Sequence, residues 1–203
     1  MRSNRANTRK THPAKAKKTP TKAAKKTSTK AASKSPTEIK GPNKTGNAIF
    51  VGSLVSAAAV TGSLATEPDG QWYRELNKPT WQPPGIAFPV VWSSLYTDIA
   101  VSSTAVLNEL ERRGETEEAA SYRKALATNL ALNAFWSWLF FRWHHLGAAT
   151  AGAGVLAISS FDLAKRAGHA RPAAGWALGA YALWTGFATV LAGTVCWLNP
   201  KDK

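Results

Sequence analysis

The sequence predicts an all-α integral membrane bundle of five transmembrane helices. The first reason is uncharged length: residues 45–66, 125–141, 146–161 and 172–200 carry no charge, and residues 79–108 carry only Asp98. Crossing the hydrocarbon takes about 20 apolar residues, or about 17 when flanking Lys and Arg side chains reach back to the headgroups. Arg123, Lys124, Arg142, Lys165 and Arg166 bracket the two shorter runs. The second reason is that a water-soluble bundle would show a charged face at every turn or so, and these runs show none. The third is how charge is divided. Of the net +14, +13 lies in residues 1–44 and +1 in the remainder, so a hydrophilic tail precedes a hydrophobic body.

Taken in order, residues 1–44 hold 14 Lys and Arg against Glu38 alone, with no aromatic residue. Such a composition has almost nothing to bury and predicts a disordered tail. The run from Thr21 to Ala24 returns loosely from Thr29 to Ala32. A tail of this kind either sets orientation as a solvated segment, lies on anionic lipid, or neutralises nucleic-acid phosphates. The apolar body follows at residues 45–200, with helices expected at about 46–66, 84–108, 122–142, 146–165 and 172–198. The first apolar run begins behind 44 polar residues, so it reads as an uncleaved first span rather than a secretory signal. The lone cysteine, Cys196, permits no intrachain disulfide and no paired-thiol site.

Between the first two spans, residues 72–96 read WYRELNKPTWQPPGIAFPVVWSSLY. Trp72, Tyr73 and Trp81 sit beside Arg74, Glu75 and Lys78, in a segment too polar for a bilayer interior. Pro83 and Pro84 suit the start of the second helix, whose first amides have no partner to lose. In the last span Gly175 and Gly179 stand one turn apart, as Ala127 and Ala131 do in the third, so that helices can approach closely there. Basic residues set the orientation. The tail, the second loop and the fourth loop share one side, which places the N-terminus in the cytoplasm and the loop of residues 72–84 outside.

The run W-Y-x-x-L-x-K-P-x-W-x-P-P followed by F-x-x-V-W-x-x-L-Y resembles the TspO/MBR family, the tryptophan-rich sensory and translocator proteins. Asn133 to Phe141 on the third span resembles that family's L-N-x-x-W-x-x-L-F-F helix, and Tyr181 to Leu191 its fifth. The resemblance covers about residues 46–200 and leaves the tail unmatched. It implies five helices around a ligand pocket, commonly in a homodimer. The implied ligands are flat and hydrophobic: porphyrin, haem and haem-pathway intermediates, with no obligatory cofactor. Trp92, Asn133, Trp136, Trp184, Ala188 and Leu191 would form its walls. Trp72, Tyr73, Pro79, Trp81, Pro83 and Pro84 would form the lid. In some relatives the ligand is broken down in light, a chemistry that photo-oxidised Trp92 and Trp184 could support. Ala180, Ala192, Gly152 and Ala148 depart from common family residues, and the sterol motif is not completed around residues 191–199; a roomier pocket is expected.

No nucleophile motif, phosphate loop or paired carboxylates are present. His144 and His145 beside Trp143 are expected in an interfacial aromatic belt, and Asp98 to take a hydrogen bond from Asn133 or from a Ser or Thr hydroxyl. Two functions follow: a membrane receptor for tetrapyrroles that moves them or assists their breakdown, and a membrane scaffold whose basic tail tethers DNA or anionic lipid.

Overall fold

In the computed structural model, residues 41–202 are described; the tail expectation falls on residues that lie outside this range. Five long helices carry the fold: α1 (Lys44–Ala65), α3 (Ala87–Arg112), α4 (Thr116–Ser137), α5 (Leu146–Ala170) and α6 (Pro172–Leu198). A short α2 (Gln71–Glu75) lies in the first loop, and a π turn (Trp138–Arg142) extends α4. There is no strand among the described residues. At 1.5 Å per residue, even α1 is about 33 Å long, enough to span the hydrocarbon.

Each long helix buries one stripe and leaves large apolar residues exposed on the other side. In α1 the buried positions are Asn47, Val51, Val55, Ala58, Gly62 and Ala65, spaced by three or four residues. Ile49, Val60 and Leu64 on its other side are exposed, as are Val101, Val155, Ile158, Phe161, Leu183 and Val190 elsewhere. An apolar exterior of this extent fits lipid rather than water, and the chain is an integral membrane protein. Four helices, α1, α3, α5 and α6, are long and apolar enough to cross a membrane. The fifth long helix, α4, falls short on composition because it starts at Thr116 in the charged segment, six residues ahead of the expected 122. Its apolar end is wound into the π turn instead.

That turn reverses the chain. Trp143 N–H donates to Trp138 O at 2.9 Å, and His144 takes φ 57°, the only non-glycine residue with positive φ among those described. The next reversal is tighter: Arg171 alone, extended at φ −144°, joins α5 to α6, with Pro172 at the first helical position. There the backbones of Gly168 and Gly175 touch, and α5 and α6 become the most closely packed pair. Gly179 faces open space, so only the first member of the expected Gly175–Gly179 pair serves the contact. The second-span helix begins at Ala87, after Pro83 and Pro84. Ala87 N–H donates to Pro84 O at 2.8 Å in a turn that leads into α3, and Pro89 is the proline that occupies its first turn.

The bundle has two chemically distinct ends. At one, Glu111 of α3 accepts from the Asn43 amide at 2.9 Å, from Asn47 at 3.0 Å and from Arg123 of α4. Arg113 reaches Ala170 O at the end of α5, at 2.6 Å. At the other, the first loop meets the π turn and the end of α6.

Candidate ligand-binding site beneath the first loop

Along the first loop, side chains alternate between anchoring and capping. Leu76 is buried, and Asn77 exchanges hydrogen bonds with Asn199: the Asn77 amide donates to Asn199 Oδ1 at 2.9 Å, and Asn199 Nδ2 returns one to Asn77 O at 2.9 Å. Trp72 lies edge-on to Phe140 and stacks on His144 with ring centres 4.0 Å apart. Tyr73 contacts Phe140 and Phe141 and hydrogen-bonds Gln82, with the Lys78 ammonium 4.4 Å above its ring. Burial pushes the Tyr73 hydroxyl pKa up and the Lys78 ammonium pKa down. Trp81 leans edge-on to Phe187 of α6 at 6.0 Å. Pro79 and Pro83 are half-buried and Pro84 is exposed.

His144, expected in an aromatic belt at the membrane edge, holds the loop through Trp72. Nothing in the sequence marks that stack, which depends on a left-handed backbone at a histidine.

Beneath the loop the wall residues divide into two groups. Trp92 of α3 lies 5.6 Å from Tyr96 and edge-on to Tyr181 at 6.3 Å; Trp184 of α6 lies between Phe88 and Phe187 at 6.0 and 5.2 Å. Both are half-buried against the main core. Trp136 belongs to a second cluster with Leu191, Trp72 and Tyr73. Its ring stacks on Phe140 at 5.3 Å, and its indole N–H donates to Ala149 O of α5 at 3.0 Å. Ala188 is half-buried on α6. The space left by Gly152 is already taken, since a Cβ there would meet Leu139 at 3.0 Å and Trp136 at 3.8 Å.

Asn133 is buried at the centre of a hydrogen-bonded chain. Tyr96 donates to Asn133 Oδ1 at 2.8 Å, Asn133 Nδ2 donates to Tyr181 Oη at 3.2 Å, and Tyr181 donates to Asn129 Oδ1 at 2.9 Å. Asn129 Nδ2 continues to Ser159 and Ser160, both at 3.1 Å. The chain ties α3, α4, α5 and α6 at mid-bundle, where water cannot satisfy these groups. The sequence motifs include Tyr96 and Tyr181 without pairing them to Asn133, and Asn129 lies outside the motifs. The signal was there, because Asn129 and Asn133 one turn apart make a polar stripe in an uncharged run. Asp98 is not Asn133's partner. Its Oδ1 accepts from Ser102 at 2.8 Å, one of the alternatives expected, and Oδ2 is buried without a hydrogen bond.

Two grooves mark the outside of the bundle. One, of about 660 Å³, runs between α1 and α3; the other, of about 500 Å³, between α1 and α4. Neither is lined by Trp92, Asn133, Trp136 or Trp184. Below the loop the aromatic rings contact one another in pairs, Trp92 with Tyr96, Trp184 with Phe88 and Phe187, and Trp136 with Phe140. Among the described residues no three of His, Cys, Asp and Glu gather where a metal could be held.

The TspO/MBR family model matches residues 50–198, nearly the whole bundle. Protein CrtK of Rhodobacter capsulatus is 30% identical over 155 residues, 76% of this chain and 95% of that one. The tryptophan-rich sensory protein of Cereibacter sphaeroides is 37% identical over 106 residues, 51% of this chain and 61% of the relative. The human translocator protein is 32% identical over 139 residues, 67% of this chain and 80% of the relative. With its first loop, its polar mid-bundle chain and nearly all of its five long helices inside the matched span, the chain belongs to the TspO/MBR family.

Proposed function

We propose that this protein binds flat, conjugated hydrophobic ligands of the tetrapyrrole class between α3, α4 and α6, with the first loop as lid. One observation carries the proposal: Trp92, Trp136 and Trp184 are turned inward among other rings, whereas Trp176 and Trp197 on α6 are 85% and 74% exposed. Lipid anchoring accounts for the outward pair and leaves the inward three without a role at the membrane interface. Indole faces stack well on a porphyrin, and each buried one contributes on the order of 1–3 kcal/mol. The relatives' names, sensory protein and translocator, suit a protein that captures such a molecule and passes it on.

Entry needs the lid to move, since the rings beneath it close on one another. Trp81 and Phe187 would part, and Phe88 would swing from Trp184 to leave an indole face for the ligand. Lys78, whose ammonium lies 4.4 Å over the Tyr73 ring, is the lid cation we assign to a ligand carboxylate.

Titration of the purified protein with protoporphyrin, followed by Trp fluorescence, tests the proposal. The wild type should saturate, and Trp92→Ala/Trp184→Ala should raise Kd at least about tenfold, the equivalent of about 1.4 kcal/mol. Equal Kd values in the two proteins, or no saturable quenching in either, would sink it. The basic residues 1–44 favour a second role in parallel, tethering anionic lipid or DNA with the N-terminus in the cytoplasm. Tethering of that kind should weaken steeply as salt is raised, while ligand binding among indoles should not.

A further inference from the structure

The groove between α1 and α3 has a graded chemistry that the proposed ligand site does not use. Its mouth is cationic, with Lys44 at the start of α1, Arg112 at the end of α3 and Arg171 at the α5–α6 junction. Its floor is small and apolar, and includes Gly52 of α1 and Ala100 and Val101 of α3. Glu109 is the acid at the mouth, and it is shared between Arg112 at 2.6 Å and Arg113 at 2.7 Å. Lys44 and Arg171 have no ion-pair partner among the described residues, so the mouth keeps a positive excess.

Depth distinguishes the possible occupants. From Lys44 to Gly52 the groove descends about 12 Å, and from Arg112 to Val101 about 16 Å, at 1.5 Å per residue. One leaflet's share of the hydrocarbon is about 15 Å. An apolar channel one leaflet deep, open to the lipid and topped by unpaired cations, matches one molecule: a phospholipid with an acyl chain in the channel and its phosphate at the mouth. Cations between helix ends favour anionic headgroups. A Cβ on Gly52 would meet nothing within 4 Å, so the missing side chain leaves open volume rather than serving a helix contact.

We infer that the α1–α3 groove is a binding site for one anionic phospholipid, held by Lys44 and Arg171 at the headgroup and by the Gly52 floor along the acyl chain. Neither the tetrapyrrole proposal nor the basic tail is needed for it.

The test uses the full chain in detergent with phosphatidylglycerol or phosphatidylcholine, counting retained lipids by native mass spectrometry after a wash in high salt. That wash strips lipid held by charge alone on the tail. The wild type should keep one phosphatidylglycerol in preference to phosphatidylcholine. Lys44→Gln/Arg171→Gln should weaken retention about thirtyfold, from about 1 kcal/mol per lost cation. Gly52→Phe should abolish it by filling the channel, while Gly179→Phe, also facing open space, should leave it unchanged. Unchanged far-ultraviolet dichroism qualifies each variant as folded. Equal retention of the two lipids, or full retention in both groove variants, overturns the inference. So does a change of oligomeric state in Gly52→Phe without loss of lipid, which would make the groove a contact between copies of the chain.

Discussion

A Cβ built on Gly175 would lie 2.5 Å from Gly168 Cα and 2.8 Å from its nitrogen, backbone atoms that cannot rotate away. Gly175→Ala must therefore push α5 and α6 apart, at the cost of about 1–3 kcal/mol usual for overpacking. Gly179→Ala meets nothing within 4 Å and should be neutral or stabilising by up to about 1 kcal/mol, since it removes a glycine from a helix interior. Thermal unfolding of the two variants in one detergent checks the pair; similar midpoints would mean the helices can separate freely. The sequence shows both glycines at equal standing. Which of them meets a backbone depends on the one-residue link at Arg171, and that link cannot be read from spacing. Trp residues behave alike in this respect. Trp176 and Trp184 lie about two turns apart on α6, yet the first is exposed and the second half-buried.

The helices themselves were legible because lipid leaves so strong a mark: a span is apolar over about 20 residues, and a charge inside it, such as Asp98, is rare. Helix ends were less legible, and α4 shows why. Its first turns lie beyond the apolar run, so Glu117, Glu118, Arg123 and Lys124 give no hydropathy signal for the helix that contains them. Inside the run, α4 binds its neighbours with polar atoms as well as with the buried Leu126 and Leu130. Asn133 accepts from Tyr96 and donates to Tyr181, so Asn133→Leu strands the Tyr96 hydroxyl in the core and leaves Tyr181 only its bond to Asn129. The loss should be about 1–3 kcal/mol, against about 0.6 kcal/mol for an ordinary single interhelical hydrogen bond in a membrane protein, the scale expected of Tyr96→Phe. Unfolding in graded denaturing detergent separates the two, and equal losses would show that the chain acts as isolated pairs. The candidate wall was legible only in part for the same reason. Motif spacing names Trp92, Trp136 and Trp184, but Trp136 faces α5 and the loop while the other two face the main core.

At the scale of the whole molecule, the two ends differ in what holds them. The first loop is held at its centre by Asn77 and Asn199, partners 122 positions apart. Asn199→Leu should leave the unfolding midpoint nearly unchanged while raising hydrogen exchange through residues 71–86, because few other hydrogen bonds tie that segment to the bundle. Protection equal to wild type there would mean the aromatic contacts of Trp72 and Tyr73 hold the loop alone. The opposite end carries Lys44, Arg112, Arg113, Arg123, Lys124, Lys165, Arg166 and Arg171, against Arg74, Lys78, Arg142 and Lys201 at the loop end. Among the described residues, eight cations against four favours keeping the first set in the cytoplasm, and residues 1–43 add their own excess directly before α1. The acids of the α3–α4 junction do not cancel this, since Glu109 and Glu111 are paired to arginines and acids contribute little to the bias. In a Cys196→Ser background, Asp69→Cys should react with a membrane-impermeant maleimide on intact cells, and Glu117→Cys only after permeabilisation. The reverse pattern would put the first loop inside, and the proposed ligand would then arrive from the cytoplasm. Labelling of both sites on intact cells would mean that the chain inserts in two orientations, with a first loop on each side of the membrane.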